Sequence, residues 1–212
     1  MDDLDATTTV AVGVDVSAAR GLDVVALDGT RAIAGGPWRR QTPADLERTL
    51  RDLAPAVVAI DSPPAWGTSG ACRPAERAVR ALGMGIFATP SDPAMFDHPF
   101  YRWMVAGFAA FVAADAAGFA YYRGVGPVTS RTLEVYPHAT AVRLGGDPTR
   151  GSKRVWRSAV LDAMGVDPGP LRSVDAVDAA LAALTGLLAL EGRCEALGDE
   201  ADGVIVIPRP NG

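Results

Sequence analysis

The chain is poor in the residues from which redox frameworks and soft-metal cages are made. Among 212 residues there are two cysteines, Cys72 and Cys194, far apart and in no Cys-x-x-Cys pair, and the histidines are limited to His98 and His138. That excludes a disulfide scaffold and a zinc cluster and fits a reducing compartment. Lysine is almost absent, Lys153 being the only one. Positive charge is the minority sign, with 20 Lys and Arg against 25 Asp and Glu, for a formal charge of −5 and a pI near 5.0. No global cationic field draws in a nucleic acid backbone, so any such contact has to use a local basic patch. Long apolar runs are missing too. The most membrane-like stretch, residues 103–122, carries Asp115, which costs about 2.5–3.5 kcal/mol at mid-bilayer. It reads as a buried helix, with no membrane partner. The start, Met1-Asp2-Asp3-Leu4-Asp5, is acidic where a signal peptide is basic, and the expected location is the cytoplasm.

Several catalytic signatures are also missing. Gly83-x-Gly85-x-x-Ala88 follows a predicted helix rather than a strand, so it is not a dinucleotide loop. Gly151-Ser152-Lys153 lacks the Gly-Lys-Ser/Thr order of a phosphate-binding loop. Asp15-Val16-Ser17 lacks the second acid of a phosphatase Asp-x-Asp motif, and Gly67-Thr68-Ser69-Gly70 is no nucleophile elbow. Nucleophilic serine or cysteine catalysis has no support.

What is present is a foldable apolar content, 49% hydrophobic with 21% charged residues, in a chain long enough to bury about 70% of its unfolded surface. We expect a single α/β domain over residues 1–212. Residues 8–15, 22–27 and about 30–34 read as three meandering strands, the last two joined by the hairpin signal Asp28-Gly29. Thr42-Pro43 predicts the start of a helix over 44–53. Residues 56–61 form a fourth strand, apolar and ending in an acid. A mostly helical insertion of about 63–128 follows, with helices at 74–82 and near 101–122 and a proline-rich loop between them. It reads as a cap over one end of the sheet. Its aromatic group, Phe96, Phe100, Tyr101 and Trp103, is expected to close it onto the core. A fifth strand at 131–136, helices near 138–144, 152–164 and 173–192, and a last strand at 203–207 complete a mixed sheet flanked by helices.

Acids stand where buried strands end. Asp15 and Asp61 each terminate an apolar run, and if the two strands are parallel neighbours both carboxylates emerge at one sheet edge, where open α/β sheets place their sites. Glu134 lies within a third such run. Asp175 and Asp178 are spaced i,i+3 and open a strongly apolar helix. A buried carboxylate requires a cation, a proton or an arginine. Oxygen ligands without clustered Cys or His select hard cations such as Mg²⁺ or Mn²⁺, and two such ions activate water for phosphodiester hydrolysis. Plainer readings stand beside these. A strand-end Asp caps a loop, Asp175 is a first-turn acid favoured by the helix dipole, and Glu134 forms an ion pair with Arg131 or Arg143.

The strand order and acid placement resemble the ribonuclease H-like fold, and more closely the DUF429 family, described as predicted nucleases of that fold. The segments that carry the resemblance are Val12-Gly13-Val14-Asp15, Ala59-Ile60-Asp61-Ser62-Pro63, Arg73-Pro74-Ala75-Glu76-Arg77, Leu133-Glu134-Val135-Tyr136-Pro137, Asp175-Ala176-Val177-Asp178-Ala179 and Asp202-Gly203-Val204-Ile205. The resemblance implies Asp15, Asp61 and Asp178 as metal ligands and Glu134 and Asp175 as further candidates, with Asp175/Asp178 similar to the late-helix pair of Holliday-junction resolvases. Where relatives carry a second acid after Glu-x-x-Pro, His138 supplies a titrating group.

Arg143, Arg150, Lys153, Arg154 and Arg157 form the one basic cluster. Lys153, Arg154 and Arg157 are candidates to track a phosphate backbone beside Trp156, against the plainer reading of a solvated helix face with Trp156 in the core. Glu76 is a site candidate or the partner of Arg73 or Arg80. The expectation is a divalent-metal-dependent nuclease acting on structured nucleic acid, with Asp15, Asp61, Glu134 and Asp178 catalytic. The alternatives are a nucleotide-binding phosphotransferase or ATPase-like protein, and a non-catalytic binding module.

Overall fold

The computed structural model describes residues 9–68 and 70–210; the acidic start and Thr8 lie outside the described residues. The described residues form one eight-stranded mixed sheet flanked by six α-helices. β1 (Val10–Ser17), β2 (Gly21–Asp28) and β3 (Ile33–Gln41) meander antiparallel, and α1 (Pro43–Leu53) leads to β4 (Val57–Asp61). α2 (Pro74–Ala81), α3 (Arg102–Ala116) and the two-residue β5 (Ala120–Tyr121) come next. β6 (Arg131–Val135), α4 (Pro137–Arg143), α5 (Lys153–Ala163), α6 (Val174–Leu190), β7 (Cys194–Asp199) and β8 (Gly203–Pro208) complete the chain. The order across the sheet is β3-β2-β1-β4-β6-β8-β7, with β5 beside β6. β1, β4, β6 and β8 run parallel, while β2, β3 and β7 are antiparallel to their neighbours.

The local chemistry matches the elements. Thr42 caps α1 in a reciprocal capping box with Asp45, and Pro43 occupies the first turn, where a missing N–H is harmless. Ser173 caps α6 by accepting from the Ala176 amide. The parallel strands read as continuous apolar runs because both faces are covered. On one face Ala11, Val25, Val57, Ala59 and Leu133 pack against α5 and α6. On the other, Val12, Val14, Val58 and Ile60 meet α1 and α3, and Ala75 and Val79 of α2 meet Ile205 and Ile207 of β8.

Three expectations need correction. The third strand is Ile33–Gln41, later than 30–34; its Gly-Gly-Pro start and register shifts against β2 hid it. β7, a half-exposed edge strand with a polar end, was absent from the expected set. The 63–128 segment is more than a cap, since α3 lies flat on the sheet and supplies half of one helical layer. Phe111 and Phe119 of this segment join a sheet core, but the expected group Phe96, Phe100, Tyr101 and Trp103 does not. Phe96 stacks on Trp66 at 4.4 Å, Tyr101 and Phe108 edge onto Trp66, and Phe100 edges onto Phe87.

The tightest seat in the fold is α6 on β1. A Cβ at Gly13 would stand 2.0 Å from the Ala179 carbonyl oxygen and 2.2 Å from the Ala183 amide nitrogen, both backbone atoms of α6. Gly13→Ala therefore has to push the helix off the sheet. A loss of about 3 kcal/mol, the upper end of ordinary overpacking, corresponds to a fall of about 6–12 °C in Tm for a chain of this size. Differential scanning calorimetry checks it, and an unchanged Tm would show that the helix has room.

Candidate active site

β1 and β4 are parallel neighbours, and Asp15 and Asp61 are register partners at their carboxyl ends, on strands about 4.8 Å apart. Alternation along the strand puts Asp15 on the same face as Gly13, and Asp61 on the same face as Ala59, towards α6. Among the described residues neither carboxylate accepts a hydrogen bond. Burial pushes the Asp15 carboxyl well above the usual range, and the neighbouring charges of Asp61, Asp178 and Asp175 push it further. Burial, followed by the charge of Asp178, does the same to Asp61. Two half-buried carboxylates side by side, unpartnered among the described residues, are a site for a proton or a cation.

The aspartates of α6 reach the same place, each paired with an arginine, although burial still raises the Asp178 carboxyl. Asp178 holds Arg157 Nη1 with both oxygens at 2.5 Å. Asp175 accepts from Arg20 Nε at 2.9 Å and Nη2 at 3.2 Å. Arg157 is 5% exposed, lies 5.2 Å from the centre of the Trp156 ring and has Nη2 3.3 Å from His138 Nδ1. Burial, followed by the charges of Arg157 and Lys153, lowers the pKa of His138. The ring is therefore neutral near pH 7 and accepts the Arg157 hydrogen bond.

Glu134 does not join the aspartates. Its register partner on β4 is Ile60, one residue short of Asp61, so its side chain turns to the opposite face. There it forms a bidentate pair with Arg73. Arg73, 2% exposed, also donates Nε to Glu76 at 2.9 Å. Glu76 accepts further from the Arg73 amide, the Thr89 amide and hydroxyl, and the Cys72 thiol. Its pairing with Arg73 is the plainer of its two readings. The Arg131 and Arg143 partners expected for Glu134 are not used, and Arg143 pairs with Glu195.

Around these groups the loops of the 62–101 segment and the start of α5 enclose an open cleft of about 930 Å³. Asp15, Asp61, Asp175 and Asp178 line it, as do Lys153, Arg157, His138, Glu76 and Glu134. Arg154 is exposed and outside its lining. Trp156 lies in the core, as the plainer reading of the basic cluster had it. Tyr136 also lines the cleft; burial and then the Asp61 charge push its phenol up to about 12, so it stays a donor, bonded to the Gly85 carbonyl. Arg20, Arg73 and the exposed Phe87 were not singled out as site residues. Only the folded loop geometry brings Arg20 to Asp175 across 155 positions, and no spacing signals it.

Among the described residues no three Asp, Glu, His or Cys side chains are grouped as ligands for one ion. The bare pair Asp15/Asp61 does fit a Mg²⁺-type cation, which takes one or two carboxylates and fills its remaining positions with water.

The raised carboxyls carry a stability consequence with a definite sign. Folded Asp15 and Asp61 hold protons that the unfolded chain, near 3.8, releases. Stability therefore falls as pH rises from the unfolded value through the folded ones. Asp15→Asn and Asp61→Asn each remove that loss. Without added metal, each variant should melt several degrees above the parent at pH 8, with the gap closing towards pH 4. Thermal melts across that range decide it, and a gap that does not change with pH would mean the pair carries no strain.

No curated protein and no solved structure matches the chain, and no helix among the described residues is long and apolar enough to cross a membrane. A family model described as "Protein of unknown function (DUF429)" matches residues 13–203, nine-tenths of the sequence and every acid discussed above. The chain belongs to the DUF429 family.

Proposed function

We propose that this protein is a divalent-metal-dependent phosphodiesterase of ribonuclease H-like fold, a nuclease acting on structured nucleic acid. The observation that carries the reading is the Asp15/Asp61 pair, two half-buried carboxylates in register at the ends of adjacent parallel strands, without hydrogen bonds among the described residues and facing an open cleft. The order of three meandering strands, helix, two parallel strands and a late helix bearing acids supports the fold assignment.

Asp15 and Asp61 are the residues that would hold Mg²⁺ or Mn²⁺. Such an ion supplies a water of lowered pKa and stabilises charge on a phosphodiester oxygen. Lys153 at the N-terminus of α5 and Arg157 one turn later present cations to the phosphates, and a guanidinium matches phosphate geometry in two-point contact. Arg20, 55% exposed at its side chain, adds a charge at the rim. Neutral His138 accepts from Arg157 and holds its orientation. Glu134 and Glu76, saturated by Arg73, hold the α2 segment against β6. With a net charge of −5, non-specific attraction to a polyanion is weak, and recognition rests on this local patch.

The test is cleavage of a panel of labelled single-stranded, duplex and four-way-junction DNA and RNA in Mn²⁺ or Mg²⁺. At least one substrate should be cut, and Asp15→Asn and Asp61→Asn should each lower the rate by more than about 100-fold, beyond the usual effect of losing an outer-shell partner. Cleavage that survives Asp15→Asn sinks the reading. ATP-dependent thermal stabilisation with no cleavage of any substrate would replace it with the nucleotide-binding one.

A further inference from the structure

We infer that Arg157 is a built-in cation that holds Asp178 permanently, so that the cleft takes one divalent ion, on Asp15 and Asp61, with the guanidinium standing where a second ion would be. The inference rests on the divalent-ion reading of that cleft and narrows it.

Three observations point to it. The first is the pairing itself. Both oxygens of Asp178 are engaged by one guanidinium nitrogen at 2.5 Å, inside a site where Arg157 is 5% exposed. The second is how Arg157 is held. Its charge lies against the Trp156 ring, Nη2 reaches His138, and Nε is buried with no hydrogen-bond partner among the described residues. A side chain so enclosed has no solvated position to swing to. Drawing Asp178 away to ligate an ion would strand a buried, unpaired guanidinium, the outcome that buried ion pairs resist most strongly.

The third observation is the charge balance. Six carboxylates line the cleft, Asp15, Asp61, Glu76, Glu134, Asp175 and Asp178. They face four cations, Arg20, Arg73, Lys153 and Arg157. The deficit is two positive charges, which one divalent ion supplies and two would exceed. Arg20 serves Asp175 and Arg157 serves Asp178, while Arg73 is shared by Glu76 and Glu134 with one negative charge over, which Lys153, in no ion pair among the described residues, offsets within the cleft. Among the described residues Asp15 and Asp61 are left without a partner.

Manganese counting tests this without any activity assay. The full-length chain is titrated with MnCl₂ by calorimetry, and the bound ion is read by electron paramagnetic resonance. Three results are expected: one ion per chain with the spectrum of an isolated Mn²⁺; one ion in the double variant Arg157→Met/Asp178→Asn, which removes both charges of the pair together, with affinity changed by less than about tenfold, the lower limit for losing even an outer-shell partner; and two ions with a spin-coupled spectrum in Arg157→Met, whose freed Asp178 becomes a ligand. Two ions in the unaltered chain would overturn the inference and leave the divalent-ion reading standing. A drop of more than about tenfold in the double variant would also overturn it, since Asp178 would then be a ligand. Should Arg157→Met not fold, the double variant, which leaves no unpaired charge, still decides. No bound Mn²⁺ at all would sink both.

Discussion

The seat of α6 on β1, backbone against backbone at Gly13, is the constraint on which the site depends. No side chain fits between Gly13 and the carbonyl of Ala179, so the helix axis runs as close to the sheet as a helix can. Asp15 stands two residues beyond Gly13, on the same face, and Asp178 and Asp175 are the first acids of the helix on the N-terminal side of that contact. A helix held one side chain further out would carry its acids away from the strand ends. The largely Ala and Leu surface of α6, buried nearly all round, serves that approach, since small residues let it settle between the sheet and α5.

The second organising fact is how the buried charges are shared out. Water solvates none of them well, so a carboxylate that finds no arginine becomes harder to ionise. Glu76 and Glu134 find Arg73, and the result is structural: a buried three-charge link between the 62–101 segment and the central strand β6. Asp178 and Asp175 find Arg157 and Arg20. Asp15 and Asp61, in no ion pair among the described residues, are pushed well above the usual carboxylate range by burial and by neighbouring acids, and burial also raises Glu134 and Asp178 despite their arginines. A fold that selects for stability would not retain such a pair beside an open cleft, and stability sacrificed at one place is a mark of a functional site.

Much of this was legible in the residues. The two strand-end aspartates, the acid-bearing late helix and the basic start of α5 follow from apolar runs, caps and spacing, because those features act over one or two turns or one strand; the parallel pairing of the two strands entered only as a condition. The family likewise follows from motifs spread along the whole chain. The edge strands β3 and β7 were hard to read because an edge has one solvated face and one unpaired side, so its sequence need not alternate cleanly. Glu134 was misleading for a different reason. An acid inside a buried run signals an unmet charge, but which face it takes depends on register, and a shift of one residue against Asp61 sends it to the far side of the sheet.

The sequence by itself determined which groups carry charge in apolar surroundings and which hard-ion chemistry oxygen donors favour, since both are properties of residue type and short-range pattern. Tertiary structure alone decided the partners. Arg73 lies 61 positions from Glu134, Arg157 lies 21 from Asp178, and Arg20 lies 155 from Asp175. Nothing local distinguishes these arginines from the sixteen others, because an ion pair is chosen by which side chains the packed backbone brings into one dry space. The same packing leaves Asp15 and Asp61 unpaired, and that unpaired state, more than the presence of the acids, marks the site.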